Sequence, residues 1–274
     1  MAAEPLQRER RLTRRPHGGR ARRNLPYGGP EIFPDEAPWI LMYHSVDAYR
    51  SDPYQVTVTP ERFARQMAWL SSRGLRGVAL DELLRAHAVG RSAGLVGLTF
   101  DDGYADLPRE VLPVLERFGF TATAYVVVGR LGEHNVWDRG PRKRLLSRDQ
   151  VLGLVGSRVE IGSHGLLHRS LPSLTDQELL QETRDSREQL EDLVGRRVTG
   201  FCYPYGALDR RVVEAVRASG YGYATAIAHS PLTGRWALPR SYVGERDNGW
   251  RLRAKQARHR MRGLRCRTDE ERAR

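Results

Sequence analysis

The stretch Leu95-Val96-Gly97-Leu98-Thr99-Phe100-Asp101-Asp102-Gly103-Tyr104 decides how the rest of the chain is read. An apolar run ends in two adjacent carboxylates on a turn, and residues 105–118 follow with helical patterning. A buried strand therefore delivers Asp101 and Asp102 to a strand-to-helix connection. Two ionised Asp side chains side by side repel each other, and this costs free energy unless a cation neutralises one or one keeps its proton. A site that pairs a metal ion with a carboxylate base would use that tension. Asp-Gly is also among the commonest turn signals, so the reading rests on what surrounds it.

Strand and helix patterns alternate on both sides of this stretch. Residues 39–43 form a strand ending at His44. Thr59-Pro60 opens a helix that buries Phe63, Met67 and Leu70 and stops at Gly74. A short strand over 76–80 follows, and Asp81 is expected to cap a second helix. Downstream, 121–128 reads as a buried parallel strand and 148–155 as a helix. The next strand, from Val159, runs into Gly162-Ser163-His164-Gly165-Leu166-Leu167-His168. Thr175 and Glu178 make a capping box for a long helix ending near Gly195. A strand over 199–203 enters Pro204-Tyr205-Gly206, a helix covers 209–219, and two further strands cover 221–227 and 236–243. Seven or eight such alternations predict a parallel α/β sheet, closed into a barrel rather than open and doubly wound.

The formal net charge is +12, with 40% hydrophobic residues, enough for one sizeable core. Residues 1–23 carry eight Arg against two acids, and 246–274 carry eleven Arg or Lys against four. The remainder holds 26 basic and 27 acidic residues, so the folded part is near neutral and nucleic acid is not its expected partner. The expected organisation is a disordered basic arm over 1–36, a folded domain over 37–245 and a basic helix or tail over 246–274. Two cysteines, Cys202 and Cys266, imply no disulfide framework. No stretch reads as an export signal or a membrane span, so the expected location is cytoplasmic. After Asn248, Trp250, Ala254, Ala257, Met261 and Leu264 share a narrow helical stripe among arginines. Such a helix either lies on an anionic membrane, holding the protein at its inner face, or packs on the barrel; packing through Trp250 is the favoured expectation.

In a parallel barrel the functional site lies at the C-terminal ends of the strands. His44, Asp101, Asp102, His164 and Tyr203 all fall at such ends although they are far apart in sequence. A helical turn after Gly165 would bring His164 and His168 onto one side, and with one carboxylate they make a set that leaves positions open for water and substrate, as catalytic zinc is held. Non-haem iron oxygenases use a similar set, but no signal for a cosubstrate accompanies it here. The uncoordinated carboxylate, close to the metal, would take the proton of an attacking water.

Thr99-Phe100-Asp101-Asp102-Gly103-Tyr104, Ser163-His164-Gly165-Leu166-Leu167-His168 and Phe201-Cys202-Tyr203-Pro204-Tyr205-Gly206 resemble three motifs of the NodB-like polysaccharide deacetylases, carbohydrate esterase family four. Leu238-Pro239-Arg240 resembles a later strand motif, and the resemblance spans about residues 38 to 243. It implies a distorted (β/α)7 barrel, with Asp101 as general base and Asp102, His164 and His168 on one divalent metal ion, zinc foremost with cobalt, nickel or iron able to share the ligands. Tyr203, Pro204 and Tyr205 would face the substrate, the Tyr205 backbone amide holding the oxyanion. Trp137 and Tyr203 are candidates for stacking on a sugar. Cys202 stands where many members have the Arg that orients the base, and Arg240 is expected to supply that guanidinium. Leu41-Met42-Tyr43-His44 resembles the N-terminal motif of members acting on poly-N-acetylglucosamine, which makes His44 the expected acid, with His229 second. The implied activity is removal of an acetyl group from an N-acetylated sugar or polysaccharide. The alternatives are O-acetyl or formyl removal, and a non-catalytic sugar-binding module with basic tails.

Overall fold

A computed structural model describes residues 37–272, with side chains as far as residue 262. The arm expected over 1–36 lies outside the described residues. In chain order the elements are β1 (Ile40–Tyr43), β2 (Ser45–Val46), β3 (Thr57–Val58), α1 (Pro60–Ser72), β4 (Arg76–Val78), α2 (Leu80–Ala88), β5 (Leu95–Phe100) and α3 (Leu112–Phe118). They continue as β6 (Ala122–Val126), α4 (Arg148–Leu154), β7 (Val159–Ser163), α5 (Asp176–Leu180), α6 (Ser186–Val194), β8 (Gly200–Cys202), α7 (Arg210–Ala218), β9 (Tyr223–Thr225), β10 (Ser241–Tyr242) and α8 (Gly249–Arg272). Single π turns, Leu107–Val111 and Gln181–Asp185, lead into α3 and join α5 to α6.

The main sheet runs β10-β1-β5-β6-β7-β8-β9, all parallel, with β4 paired to the first half of β5. Its two edges meet through one segment: Leu238 bridges Thr225 of β9, and three residues on Ser241 pairs with Leu41 of β1. The sheet thus curls into a distorted barrel of seven strands, as the alternation and the resemblance both imply. Every strand points the same way, so His44, Asp101, His164 and Tyr203 emerge at one rim.

Strand parity sorts the side chains. Leu41, Tyr43, Val96, Leu98, Phe100, Val126, Phe201 and Tyr203 face outward into the main core beneath the helices. Ile40, Tyr125, Cys202, Tyr223 and Leu238 face inward, where Leu80, Leu83 and Leu84 of α2 join them. Helix α2 therefore plugs the barrel's lower end. Asp81 does not cap this helix: the N-cap is Ala79, with no side-chain hydrogen bond. The free amides of the first turn are instead satisfied across the barrel, Leu80 N donating to Thr123 Oγ1 at 2.8 Å and Asp81 N to Glu160 Oε2 at 3.1 Å. The half-buried Glu160 also accepts from Thr123 Oγ1, Tyr223 Oη and Thr199 Oγ1, so one carboxylate ties β6, β7, the approach to β8, and β9 to the plug.

The barrel is continuous with the C-terminal helix. Gln66 of α1 donates to the carbonyls of Gly244 and Asp247, and Leu252 is fully buried. The stripe expected to pack does not do so at Trp250, Ala254, Ala257 and Met261; the Leu264 side chain lies outside the described residues. Trp250 is 79% exposed, whereas Leu252 and His259, on the other side, are buried, and His259 Nε2 lies 2.9 Å from the Ala37 carbonyl oxygen. Among the described residues no helix is long and apolar enough to cross a membrane.

Inside the barrel Gly162 makes room for the Tyr125 ring. A Cβ on Gly162 would lie 2.6 Å from Tyr125 Cδ1 and 3.1 Å from the Gly200 carbonyl oxygen. Gly162→Ala is therefore expected to destabilise the fold by about 1–3 kcal/mol through overpacking. In urea titration this appears as a lower midpoint with an unchanged slope.

Candidate active site

The Asp pair leaves β5 in a turn that only a specific backbone permits. Asp102 has a left-handed φ of +69° and Gly103 follows at +70°. Asp102 is strained in this conformation, as non-glycine residues generally are, and such strain persists only where the surroundings enforce it. Asp101 points into the barrel and Asp102 toward the rim, so adjacent carboxylates acquire different partners. Both are buried.

Asp101 is paired with Arg240. The guanidinium crosses the barrel interior and donates from Nη1 to Oδ1 at 2.6 Å and from Nη2 to Oδ2 at 2.8 Å. It is itself fixed by Thr99 Oγ1 and the Ala226 carbonyl. Cys202 Sγ lies 3.1 Å from Arg240 Nη2 and 3.5 Å from Asp101 Oδ2, in contact with both groups. Burial works to raise the Asp101 pKa, but the Arg240 charge and hydrogen bonds outweigh it and hold the carboxyl below the usual range.

Asp102 faces the two histidines. His164 Nε2 and His168 Nε2 each lie 3.3 Å from Asp102 Oδ1. Against burial, their hydrogen bonds hold the Asp102 carboxyl well below its ordinary pKa. Burial also opposes charge on both imidazoles. It prevails at His168, whose pKa is lowered, while Cys202 and Asp102 overcome it at His164, whose pKa is raised. The His164 Nδ1 sits 2.8 Å from the Cys202 carbonyl oxygen. A carbonyl only accepts, so Nδ1 carries a proton, and in neutral His164 the lone pair on Nε2 faces the carboxylate. A lone pair on His164 Nε2 facing an anion needs a cation between them, either a proton or a metal ion. The ligand atoms of Asp102, His164 and His168 lie within 4.8 Å of one another, which fits a metal ion with one carboxylate and two imidazole donors.

The two histidines meet without the expected helical turn. The loop over 164–170 is irregular, with Gly165 at φ +80° and His168 at φ +61°. Glu182, buried in the π turn between α5 and α6, accepts from the backbone amides of Leu166 and Leu167 and clamps this loop. A Cβ on Gly165 would lie 2.7 Å from Glu182 Oε2, so only glycine lets the clamp approach. No motif marks Glu182 in the sequence, because its role depends on a helix packed beside the loop.

A cavity of about 170 Å³ opens on these groups, lined by Met42, His44, Asp101, Asp102, His164, His168 and the aromatic residues Tyr54, Trp137, Tyr203 and Tyr205. Trp137 stacks on His168, with ring centroids 4.2 Å apart, so one of its faces is already covered. Tyr205 is exposed and has a φ of +58°. Tyr203 is buried by parity, its hydroxyl donating to the Trp236 carbonyl, and packing accounts for its ring; Pro204 is buried behind it. His229 is not on this cavity. Its ring lies against His259 of α8, and burial with the His259 and Arg262 charges lowers its pKa to about 4. Asp138, which carries no sequence signal, also lines the cavity, and burial beside Asp102 raises its pKa.

The sequence profile of the polysaccharide deacetylase family matches residues 88–224, half of the chain. The chain belongs to that family. It is 28% identical over 184 residues to YxkH of Bacillus subtilis, whose name assigns it provisionally to the polysaccharide deacetylases; the match covers 66% of this chain and 61% of that protein. It is 22% identical over 200 residues to the poly-beta-1,6-N-acetyl-D-glucosamine N-deacetylase of Staphylococcus aureus, covering 69% of this chain and 68% of that one. The solved structure of BC0361, a polysaccharide deacetylase from Bacillus cereus, has the same fold, with a TM-score of 0.68 at 23% identity over 80% of this chain and 69% of that one. His44 and Arg240 lie outside the segment that the family profile matches.

Elemental analysis is expected to find about one divalent ion per chain after zinc reconstitution, lost in a His164→Ala, His168→Ala double variant. A wild-type protein that takes up none would remove the metal site. Replacing Arg240 with Ala leaves a buried, unpaired carboxylate, with an expected loss of about 3–5 kcal/mol at neutral pH. Because the folded-state pKa of Asp101 is depressed, the stability that the pair contributes is present above the unfolded value and lost as pH falls through the folded one. The gap between wild type and variant in denaturant titrations should therefore narrow below about pH 4.

Proposed function

We propose that the protein hydrolyses the acetamido group of an N-acetylated glucosamine polymer or oligomer, releasing acetate and leaving a free amine. The observation that carries this reading is the Asp101–Arg240 pair beside the Asp102, His164 and His168 cluster. One carboxylate is kept charged and fixed, while its neighbour meets two imidazoles. Family membership supports the reaction class, and the name of the Staphylococcus relative supports the polymer class.

Asp102, His164 and His168 would hold one divalent cation, zinc foremost with cobalt, nickel or iron as alternatives, and such an ion supplies a Lewis acid to the amide carbonyl and to water. Asp101 accepts the proton of the water that adds to the acetyl carbon. Arg240 is a positioning residue in this scheme: its two parallel hydrogen bonds fix the plane of the carboxylate and keep it ionised. The Tyr205 backbone amide donates to the carbonyl oxygen as that atom gains charge. His44, on the same cavity, gives a proton to the nitrogen as the carbon–nitrogen bond breaks. Trp137 buttresses His168, leaving Tyr205 as the more exposed aromatic surface for a sugar ring.

Zinc-loaded protein is expected to release acetate from N-acetylglucosamine oligomers. Asp101→Asn and His44→Ala should each lower kcat by about 10²- to 10⁴-fold while the metal content is unchanged. Undiminished turnover in His44→Ala would remove its role as acid. Loaded protein that releases no acetate would overturn the reading.

A further inference from the structure

We propose that the outward face of α8 is a docking surface for an anionic lipid bilayer. At 3.6 residues per turn, Trp250, Ala254, Ala257 and Met261 share a stripe about 60° wide. Opposite that stripe, Leu252 and His259 bury themselves on the barrel, and Lys255 Nζ donates to Asp247 Oδ2 and the Tyr242 carbonyl, each at 2.6 Å. The helix is therefore held from behind, with its second apolar stripe turned away from the protein. All four residues of the stripe are exposed, Trp250 at 79% and Met261 at 56%.

Arginines flank the stripe on both sides. Arg251, Arg258 and Arg262 lie along one edge and Arg253 and Arg260 along the other, all exposed, and no acidic residue occurs between 249 and 262. An apolar stripe with an indole near one end, bordered by guanidinium groups, matches a bilayer interface: Trp and Met enter the headgroup region while the arginines reach phosphates. The charge selects an anionic surface, at about 1 kcal/mol for each basic residue close to it. A nucleic acid would take up the arginines but leave Trp250 and Met261 without a partner. A second copy of the same face would oppose arginine to arginine. With only two large apolar side chains, binding is reversible and depends on salt. Docking is independent of the proposed chemistry, because no residue of the stripe lines the cavity.

The full-length protein can be tested by co-flotation with vesicles of phosphatidylcholine alone or mixed with phosphatidylglycerol. The expected result is binding to the mixed vesicles that weakens as salt rises. A Trp250→Ser, Met261→Ser double variant should partition about tenfold less, and an Arg253→Glu, Arg260→Glu double variant at least about tenfold less. Circular dichroism and thermal unfolding should be unchanged in both, since the four side chains are exposed. Three outcomes would overturn the proposal: binding untouched in both variants, equal binding to pure phosphatidylcholine, or retention on immobilised nucleic acid with no vesicle binding.

Discussion

Two carboxylates on consecutive residues, both buried, are the constraint from which the rest of the structure follows. Neither can be ionised there without a cation of its own, because burial removes the water that would otherwise solvate it. The barrel provides one for each. Arg240 reaches Asp101 across the interior, while His164 and His168 converge on Asp102 through their Nε2 atoms and leave a place for a positive charge. The left-handed backbone at Asp102 separates the two side chains, so the like charges are divided between an inner and an outer environment.

This division relies on strand parity. Inward positions are shared between packing groups at the lower end, where α2 plugs the barrel and Thr123 and Glu160 satisfy its first amides, and chemical groups at the rim. Cys202 belongs to the inward set and Tyr203 to the outward one, although both lie at the end of β8. A thiol therefore touches the Asp101–Arg240 pair, while a tyrosine that looks like a site residue packs under the helices. Where the motif resemblance leads to the expectation of an arginine, the chain has this small side chain, and the guanidinium arrives from the segment that closes the barrel. Closure of the sheet and fixing of the Asp101 carboxylate are thus done by the same stretch, 238–242.

The C-terminal helix shows the same principle at the surface. Its sequence carries one obvious stripe, and packing on the barrel uses the other side, where a single leucine and a histidine suffice because the adjoining Asp247 and Lys255 contacts hold the first turns. Helical periodicity identifies which residues share a face. It does not say which face meets the protein, since that depends on the shape and polarity of the surface waiting for it.

The amino-acid sequence by itself determined the alternation of strands and helices, the barrel class, the Asp101-Asp102 turn, and the convergence of His44, Asp101, Asp102 and His164 at one rim, because these follow from local periodicity, turn chemistry and the shared direction of parallel strands. Only the tertiary structure decided the Glu182 clamp, the cross-barrel capping of α2, the burial of Tyr203, the removal of His229 from the cavity and the face that α8 presents. Each of those depends on a contact between residues far apart in the chain. Their hydrogen-bond partners and burial are set by how the elements pack, and no local pattern encodes that.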